Sequence, residues 1–215
     1  MDALLGIVIP PKRRVAPVAA VTTFNPADKN ANAALSNGNR TLTGLQGANV
    51  LQPARGTVAR LDGRRYLEYR IDVNSAGWCV GLANAAASLA GGTIFGNGNA
   101  NGFGILQNLR DIYNNAYQDA NFLSGSYLQV QAPVMGDVIN FALDLDARRL
   151  YVGRNGAYFG GMNPGARTGG IVLAATGALF PAAACRQGPT QSQITLNCGQ
   201  TSFASAPPAG FVAWG

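Results

Sequence analysis

With 215 residues, 47% of them hydrophobic, the chain can fill one substantial core, and 28 glycines and 11 prolines against one Glu and two Lys are poor helix material. The net charge of +6 is scattered apart from Lys12-Arg13-Arg14, which argues against nucleic acid, and the absence of His removes Ser-His-Asp and Cys-His catalysis together with the commonest metal ligand. The expectation is one all-β domain with no catalytic residue, metal or cofactor.

Residues 1–23 differ from the rest. Pro10-Pro11 and Pro17 disfavour helix and interior strand, while Leu4, Leu5, Ile7, Val8 and Ile9 stand beside Lys12, Arg13 and Arg14. So apolar a segment is expected to be an extended arm docking on its own domain or on a neighbouring subunit. Asp2 precedes the apolar run and the basic cluster follows it, the reverse of a secretory signal, so none is expected.

From Phe24 onward the pattern is of short strands. Ala34-Leu35-Ser36 and Thr41-Leu42-Thr43 flank Asn37-Gly38-Asn39, a hairpin signal. Asn39-Arg40-Thr41 is formally a glycosylation sequon, read here as coincidence in a turn. Gly56 to Val73 reads as two strands around Asp62-Gly63-Arg64. In the second, Leu67, Tyr69, Ile71 and Val73 alternate with Glu68, Arg70 and Asp72. Trp78, Val80 and Leu82 then share one face of a further strand, with core packing the expected role of Trp78.

The middle, Asn84 to Ala132, is the least regular part. Gly96 to Gly102 is a Gly/Asn loop carrying Asn97, Asn99 and Asn101, and Asp111 to Asp119 sets Tyr113 and Tyr117 around Asn114 and Asn115. Tyr gives contact area at low entropy cost and Asn gives adaptable hydrogen bonds, so these loops suit a binding surface and equally a plain crossing between strands.

Gly136 to Gly160, GDVINFALDLDARRLYVGRNGAYFG, is the clearest stretch. Ile139, Phe141, Leu143 and Leu145 alternate with Asn140, Ala142, Asp144 and Asp146, so one face is expected in the core. Asp146 to Arg149 reverses the chain, Leu150-Tyr151-Val152 returns, and Arg154-Asn155-Gly156 turns it again towards Tyr158 and Phe159, giving a three-strand meander. Asp144 and Asp146 are expected on one strand face and could imitate paired catalytic carboxylates or a cation site. The stronger reading has them accept backbone hydrogen bonds or pair with Arg148 and Arg149.

Beyond the meander, Gly170 to Ala175, Leu179 to Arg186 and Gln193 to Cys198 read as apolar strands, the last with Ile194, Leu196 and Cys198 inward. Glycines 169, 170 and 177 and Pro181 divide this region into strand lengths, so no membrane insertion is expected. Three cysteines, Cys79, Cys185 and Cys198, fit no metal spacing. If Ala182 to Arg186 and Gln193 to Cys198 form a hairpin around Gly188 to Gln191, Cys185 faces Ile194 and not Cys198. Buried free thiols are therefore expected, which favours assembly in a reducing cytoplasm.

The Gly136–Gly160 run resembles the central "GDxIGxxLDLdxxxLxFxxNG" signature of SPRY domains. RRYLEYRIDV resembles that family's "KxYFEVxV" strand, residues 76–83 its "xxWxVGLA" strand, and LNCGQTSFASAPPAGFVAW its closing segment, with Cys198 where Phe is usual. The motifs stand in family order from Phe24 to Trp214. The resemblance implies a bent two-sheet antiparallel β-sandwich over residues 24–215, preceded by the arm at 1–23, and a non-enzymatic binding module. LSNGN, the Asn/Gly-rich loops and PPAGF look like the phage and bacterial type. The expectation is a phage virion structural protein, assembled in the host cytoplasm in multiple copies. Its arm would dock on other virion proteins, and its loops could reach a host surface glycan or protein. The alternative is a cellular adaptor-type protein that captures a peptide or protein partner.

Overall fold

The computed structural model describes residues 21–45, 49–119, 132–187 and 191–215. The arm positions Leu4, Leu5, Ile7, Val8, Ile9, Lys12, Arg13 and Arg14 lie outside these. Among the described residues the chain forms sixteen strands and one 3-10 turn, Phe159–Gly161. No described helix is long and apolar enough to cross a membrane.

Strand β1 (Phe24–Lys29) edges a first sheet, and the hairpin β2 (Ala33–Ser36) and β3 (Thr41–Gly44) lies in a second. β4 (Leu51–Gly56) returns beside β1, and β5 (Arg64–Val73) runs through the middle of the second sheet. β6 (Trp78–Ala83), β7 (Gly102–Leu106), β8 (Asp111–Tyr113) and β9 (Tyr117–Asp119) form a meander in the first sheet. β10 (Val138–Asp144), β11 (Arg149–Arg154), β12 (Ala157–Tyr158) and β13 (Ile171–Val172) extend the second. β14 (Phe180–Arg186) lies between β4 and β6, β15 (Gln193–Asn197) between β5 and β3, and β16 (Val212–Ala213) runs parallel to β5. The result is the two-sheet antiparallel sandwich that the SPRY resemblance implies.

The two inner faces meet in one core. Leu67, Tyr69 and Ile71 of β5 and Phe141 of β10 pack with Val80, Leu82 and Phe103 of the first sheet, all fully buried. Phe141 stands edge-on to Tyr69 at 5.4 Å and to Phe103 at 6.1 Å between ring centres. Tyr69 also spans the layers: its hydroxyl donates to the Gly81 carbonyl at 2.7 Å and accepts the Ala182 N–H at 3.0 Å. One polar tip so crosslinks β5 to β6 and β14 without leaving a buried hydroxyl unpaired.

Both hairpin readings hold. Ser36 pairs Thr41 across Asn37 to Arg40, where Asn37, Gly38 and Asn39 all have positive φ. Arg154 pairs Ala157 across Asn155 and Gly156, at φ 51° and 85°, the two-residue reversal that Asn-Gly favours. The first of the two strands expected in Gly56 to Val73 is absent from its place. It lies earlier, as β4, and the intervening residues hold only the bridge Arg60 to Leu179.

The expected hairpin between Ala182–Arg186 and Gln193–Cys198 is not formed either. β14 pairs β4 and β6 while β15 pairs β3 and β5, so the chain changes sheets between them. Apolar residues on both strands can face the same core from opposite sheets, and this buries them as well as a hairpin would. All three cysteines are free and buried, and burial pushes the Cys79 thiol from the ordinary 9.0 up to about 12.

The expectation of one buried face on β10 is also corrected: every residue from Val138 to Asp144 is buried. The outer face is covered by residues 199–214, which run over the second sheet as a strap. Phe203 packs edge-on against Tyr66 at 4.8 Å and Phe211 against Tyr151 at 6.2 Å. Trp214 is fully buried and donates its indole N–H to the Val58 carbonyl at 2.9 Å. Glu68, the only glutamate of the chain, anchors the strap. Its Oε2 accepts the Ala204 N–H and its Oε1 the Ser205 N–H, each at 2.9 Å, and Oε1 also takes the Tyr66 hydroxyl at 2.9 Å. Asn140 completes the group, donating to the Tyr66 oxygen at 2.8 Å and accepting the Gly156 N–H at 2.8 Å.

This buried group gives a pH dependence. Tyr66 and Tyr158 are both held above the ordinary 10.0 by burial first and the Glu68 charge second. The folded state therefore keeps their protons longer than the unfolded chain does. The stability they contribute is fully present below the unfolded value near pH 10 and is lost as pH rises towards the folded values. Thermal midpoints should hold steady to about pH 8.5, begin to fall near pH 9, where the three buried thiols would ionise in the unfolded chain, and fall more steeply above about pH 10, where the tyrosines add to the loss; a flat profile to about pH 11.5 would contradict this burial.

The strap also draws in residues ahead of Phe24. Thr22 is fully buried, its hydroxyl donating to the Gly215 carbonyl and its carbonyl accepting from the Gln200 side chain, and the Thr57 N–H donates to the Thr23 carbonyl at 2.8 Å. At Cys198, which stands where the resembled family usually has the larger Phe, a hollow of about 260 Å³ lies between Val21, Thr22, Gly199 and Ala213.

Candidate binding surface

The loops singled out in the sequence lie on the first sheet, at the end bearing β7, β8 and β9. Phe95 starts the arrangement: it is buried beneath β6 and β14 with Cys79, Ala83, Ala182 and Ala184. Gly96 follows at φ 79°, and a Cβ there would sit 2.5 Å from the carbonyl oxygens of both Gly102 and Tyr113. Only glycine lets the chain pass so close, and this approach brings the Asn97–Asn101 loop against the β8–β9 hairpin.

The loop is braced by its own amides. The Asn99 side chain donates to the Asn97 carbonyl at 2.9 Å and accepts the Asn101 N–H at 3.0 Å, and the Asn101 carbonyl accepts the Asn84 N–H at 2.8 Å. Asn97 and Asn99 are exposed and Asn101 is half-buried. Arg55 holds the neighbouring Asn84 turn, donating to the carbonyls of Asn84 and Ala87 while paired through two bonds to Asp28 at 2.8 and 2.9 Å.

In the hairpin, Tyr113 pairs with Tyr117 across Asn114, Asn115 and Ala116, and the two rings lie 5.5 Å apart. Tyr117 is 54% exposed, with its hydroxyl 3.2 Å from Asp111 Oδ1. Tyr113 is half-buried, and burial, then the Asp111 charge, raises it above the ordinary 10.0. Asn115 is exposed at φ 70°. Asn114 is different: it is buried, donating to the Val172 carbonyl at 2.8 Å and accepting the Ala174 N–H at 2.7 Å. Both ends of its amide are used to tie the hairpin to the segment after β13. The surface facing outward is therefore Tyr113, Tyr117 and Asn115 beside Asn97 and Asn99, with Asn114 beneath them. Phe95, Asn84 and Arg55, which position this surface, carried no distinguishing signal in the sequence, since their partners are remote in the chain.

Asp144 and Asp146 do not form a pair. Asp144 is buried, accepting the Ala147 N–H at 3.0 Å and pairing with Arg167 at 2.7 Å, whereas Asp146 is exposed and accepts the Gly63 N–H at 2.9 Å. The backbone bonds are as expected, but the arginine partner is corrected. Arg148 and Arg149 instead donate to the carbonyls of Gly177 and Gly170. Among the described residues no three Cys, Asp or Glu side chains gather as a metal-holding group.

No family model matches the chain, and no curated protein matches it by sequence. Solved structures do match its fold. The SPRY domain of human HERC1 superposes with a TM-score of 0.58 at 15% identity, over 83% of this chain and 99% of that one. The TRIM65 PSpry domain gives 0.56 at 15% identity, over 83% and 92%. Stonustoxin gives 0.57 at 17% identity, over 83% of this chain and 27% of the toxin chain. At these identities the likeness is one of fold: the sandwich is SPRY-like.

Proposed function

We propose that this chain is a non-enzymatic binding protein of a phage virion, a capsid or tail decoration or fibre-type component. The arm, residues 1–23, docks on other virion proteins through its apolar and basic stretch Leu4–Arg14 while Thr22 and Thr23 join it to the domain, and the SPRY-like domain presents the loops of its first sheet outward. The observation that carries the binding role is the Tyr113–Tyr117 pair, half out of the core on an edge hairpin and flanked by the braced Asn97–Asn99 loop. Its rings offer contact area already held in place, so little entropy is lost on contact. The virion setting is supported by the apolar arm and by the LSNGN and PPAGF segments of the phage-type resemblance. Assembly in the host cytoplasm in many copies agrees with three free buried thiols. The ligand of the loops is a host surface glycan or protein.

The test uses labelled full-length protein and susceptible host cells. Saturable binding that blocks infection is expected, weakened about tenfold or more in the double variant Tyr113→Ser/Tyr117→Ser with its thermal midpoint unchanged. Equal binding by the variant would remove these loops from the function. A cellular adaptor-type protein capturing a peptide is the second reading, favoured by the human SPRY chains among the structures of like fold; binding to cell-lysate protein with none to host cells or particles would select it.

A further inference from the structure

The second sheet carries a cleft that the loop residues do not touch. It encloses about 320 Å³, and its lining includes Asn37 and Arg40 of the β2–β3 turn, Arg70 of β5, Thr195 and Asn197 at β15, and Ser202 of the strap. Arg70 lies opposite Thr195 in the strand register, so the floor is the outer face of β5 and β15. The hairpin turn and the strap contribute the remainder of the lining.

The carboxylate and side-chain amide acceptors at this cleft are already engaged within the protein. Glu68, which also lines it, is 3% exposed and receives the strap N–H groups and the Tyr66 hydroxyl. Asn197 Oδ1 accepts the Gly199 N–H at 3.0 Å, and Asn37 Oδ1 accepts from Arg40 Nη2 at 2.9 Å. Asp72, next to the cleft, accepts from Arg70 Nε at 2.6 Å and from the Thr195 hydroxyl.

The donors are not used up. Arg40 donates Nε to the Asn37 carbonyl at 3.2 Å and Nη2 to its amide oxygen, and it has no carboxylate partner among the described residues. The Arg70 side chain is 56% exposed, with only its Nε committed to Asp72. A guanidinium has more N–H groups than these bonds occupy, so both side chains have donors to spare. Asn37 holds Arg40 in place beforehand, which lowers the ordering cost of a further contact. A cleft whose open capacity is cationic donors selects an anionic, acceptor-only group, and the planar guanidinium edge matches a carboxylate.

We propose that this cleft is a second ligand site, taking a carboxylate side chain of an acidic peptide segment between Arg40 and Arg70. A peptide is favoured over an acidic sugar because among the described residues no aromatic ring lines the cleft to stack on a sugar face, while the exposed Thr201 and Ser202 hydroxyls can meet peptide groups. The site is independent of the loops on the first sheet.

Fluorescence anisotropy of full-length protein with labelled hexaglutamate, hexaglutamine and oligogalacturonate tests this. Hexaglutamate is expected to bind saturably, about tenfold or more tighter than the other two probes. Arg40→Gln and Arg70→Gln should each weaken it about tenfold, Arg40→Lys should weaken it less, and Arg186→Gln on the first sheet should leave it unchanged. Thermal midpoints recorded alongside show that each variant is folded, and Arg40→Lys keeps the charge if Arg40→Gln is not. Absence of saturable hexaglutamate binding would overturn the proposal. Equal weakening by Arg186→Gln would do so too, by showing attraction to net charge alone, as would oligogalacturonate binding as tightly as hexaglutamate.

Discussion

Replacing Glu68 by Ala is expected to destabilise the protein by about 2–4 kcal/mol and to free the strap, because hydrogen bonds to a charged acceptor are worth about 1.5–3 kcal/mol each and do not add fully. Four donors lose this acceptor at once: the N–H groups of Ala204 and Ser205, the buried Tyr66 hydroxyl and, at the longer distance of 3.4 Å, the Asn140 amide. With the strap loosened, Phe203 and Phe211 no longer cover Tyr66 and Tyr151. Urea denaturation should register the loss, and hydrogen exchange should place it in residues 199–215 ahead of the rest of the second sheet. Glu68→Gln keeps one acceptor oxygen and should cost about half as much, roughly 1–2 kcal/mol. A Glu68→Ala protein as stable as the parent, with the strap still protected, would mean that the aromatic contacts hold the strap alone.

Gly81→Ala should be more damaging still. A Cβ at this position would lie 1.9 Å from the Phe103 carbonyl oxygen on the neighbouring strand, a contact that only a separation of β6 from β7 can relieve. The same residue accepts the Tyr69 hydroxyl that joins the two sheets, so a shift there also strains the interlayer link. The expected cost is about 4 kcal/mol or more, at the severe end for a single substitution, seen as loss of folded protein on expression or a collapse of the denaturation midpoint. Gly98→Ala is the matched control. Its φ is 67° but nothing lies within 4 Å of the added carbon, so it should cost only about 1 kcal/mol of backbone strain. If Gly81→Ala behaves like Gly98→Ala, the pairing of β6 with β7 is not as described.

The contrast between these two glycines shows where sequence reading stops. Local signals were legible: Asn37-Gly38-Asn39 and Asn155-Gly156 marked their turns, and the alternation of Ile139, Phe141 and Leu143 marked the inner face of β10. Their causes act within a few residues of chain. Asn140 and Asp144 looked like solvent positions because what buries them comes from elsewhere: the first lies in the group that the strap covers, and the second pairs with Arg167. Tyr66 and Glu68 share that origin. A hairpin of β14 with β15 is compatible with their sequences but not formed for a related reason, since an apolar strand does not state which sheet it enters. In the candidate surface, the exposed Tyr and Asn residues followed from composition, but the inward role of Asn114 depends on carbonyl and N–H groups at Val172 and Ala174. Arg40 reads in the sequence only as the middle residue of a turn sequon, and its place in a cleft with Arg70 depends on the pairing of β15 with β3 and β5.

Retention of labelled full-length protein on particles that lack it is the most direct measure of a virion-anchored binding protein. Saturable retention is expected, lost in the triple arm variant Leu4→Ser/Ile7→Ser/Ile9→Ser and kept by Tyr113→Ser/Tyr117→Ser, which instead loses host-cell binding. No retention by the parent protein, or retention that survives the arm substitutions, would contradict it.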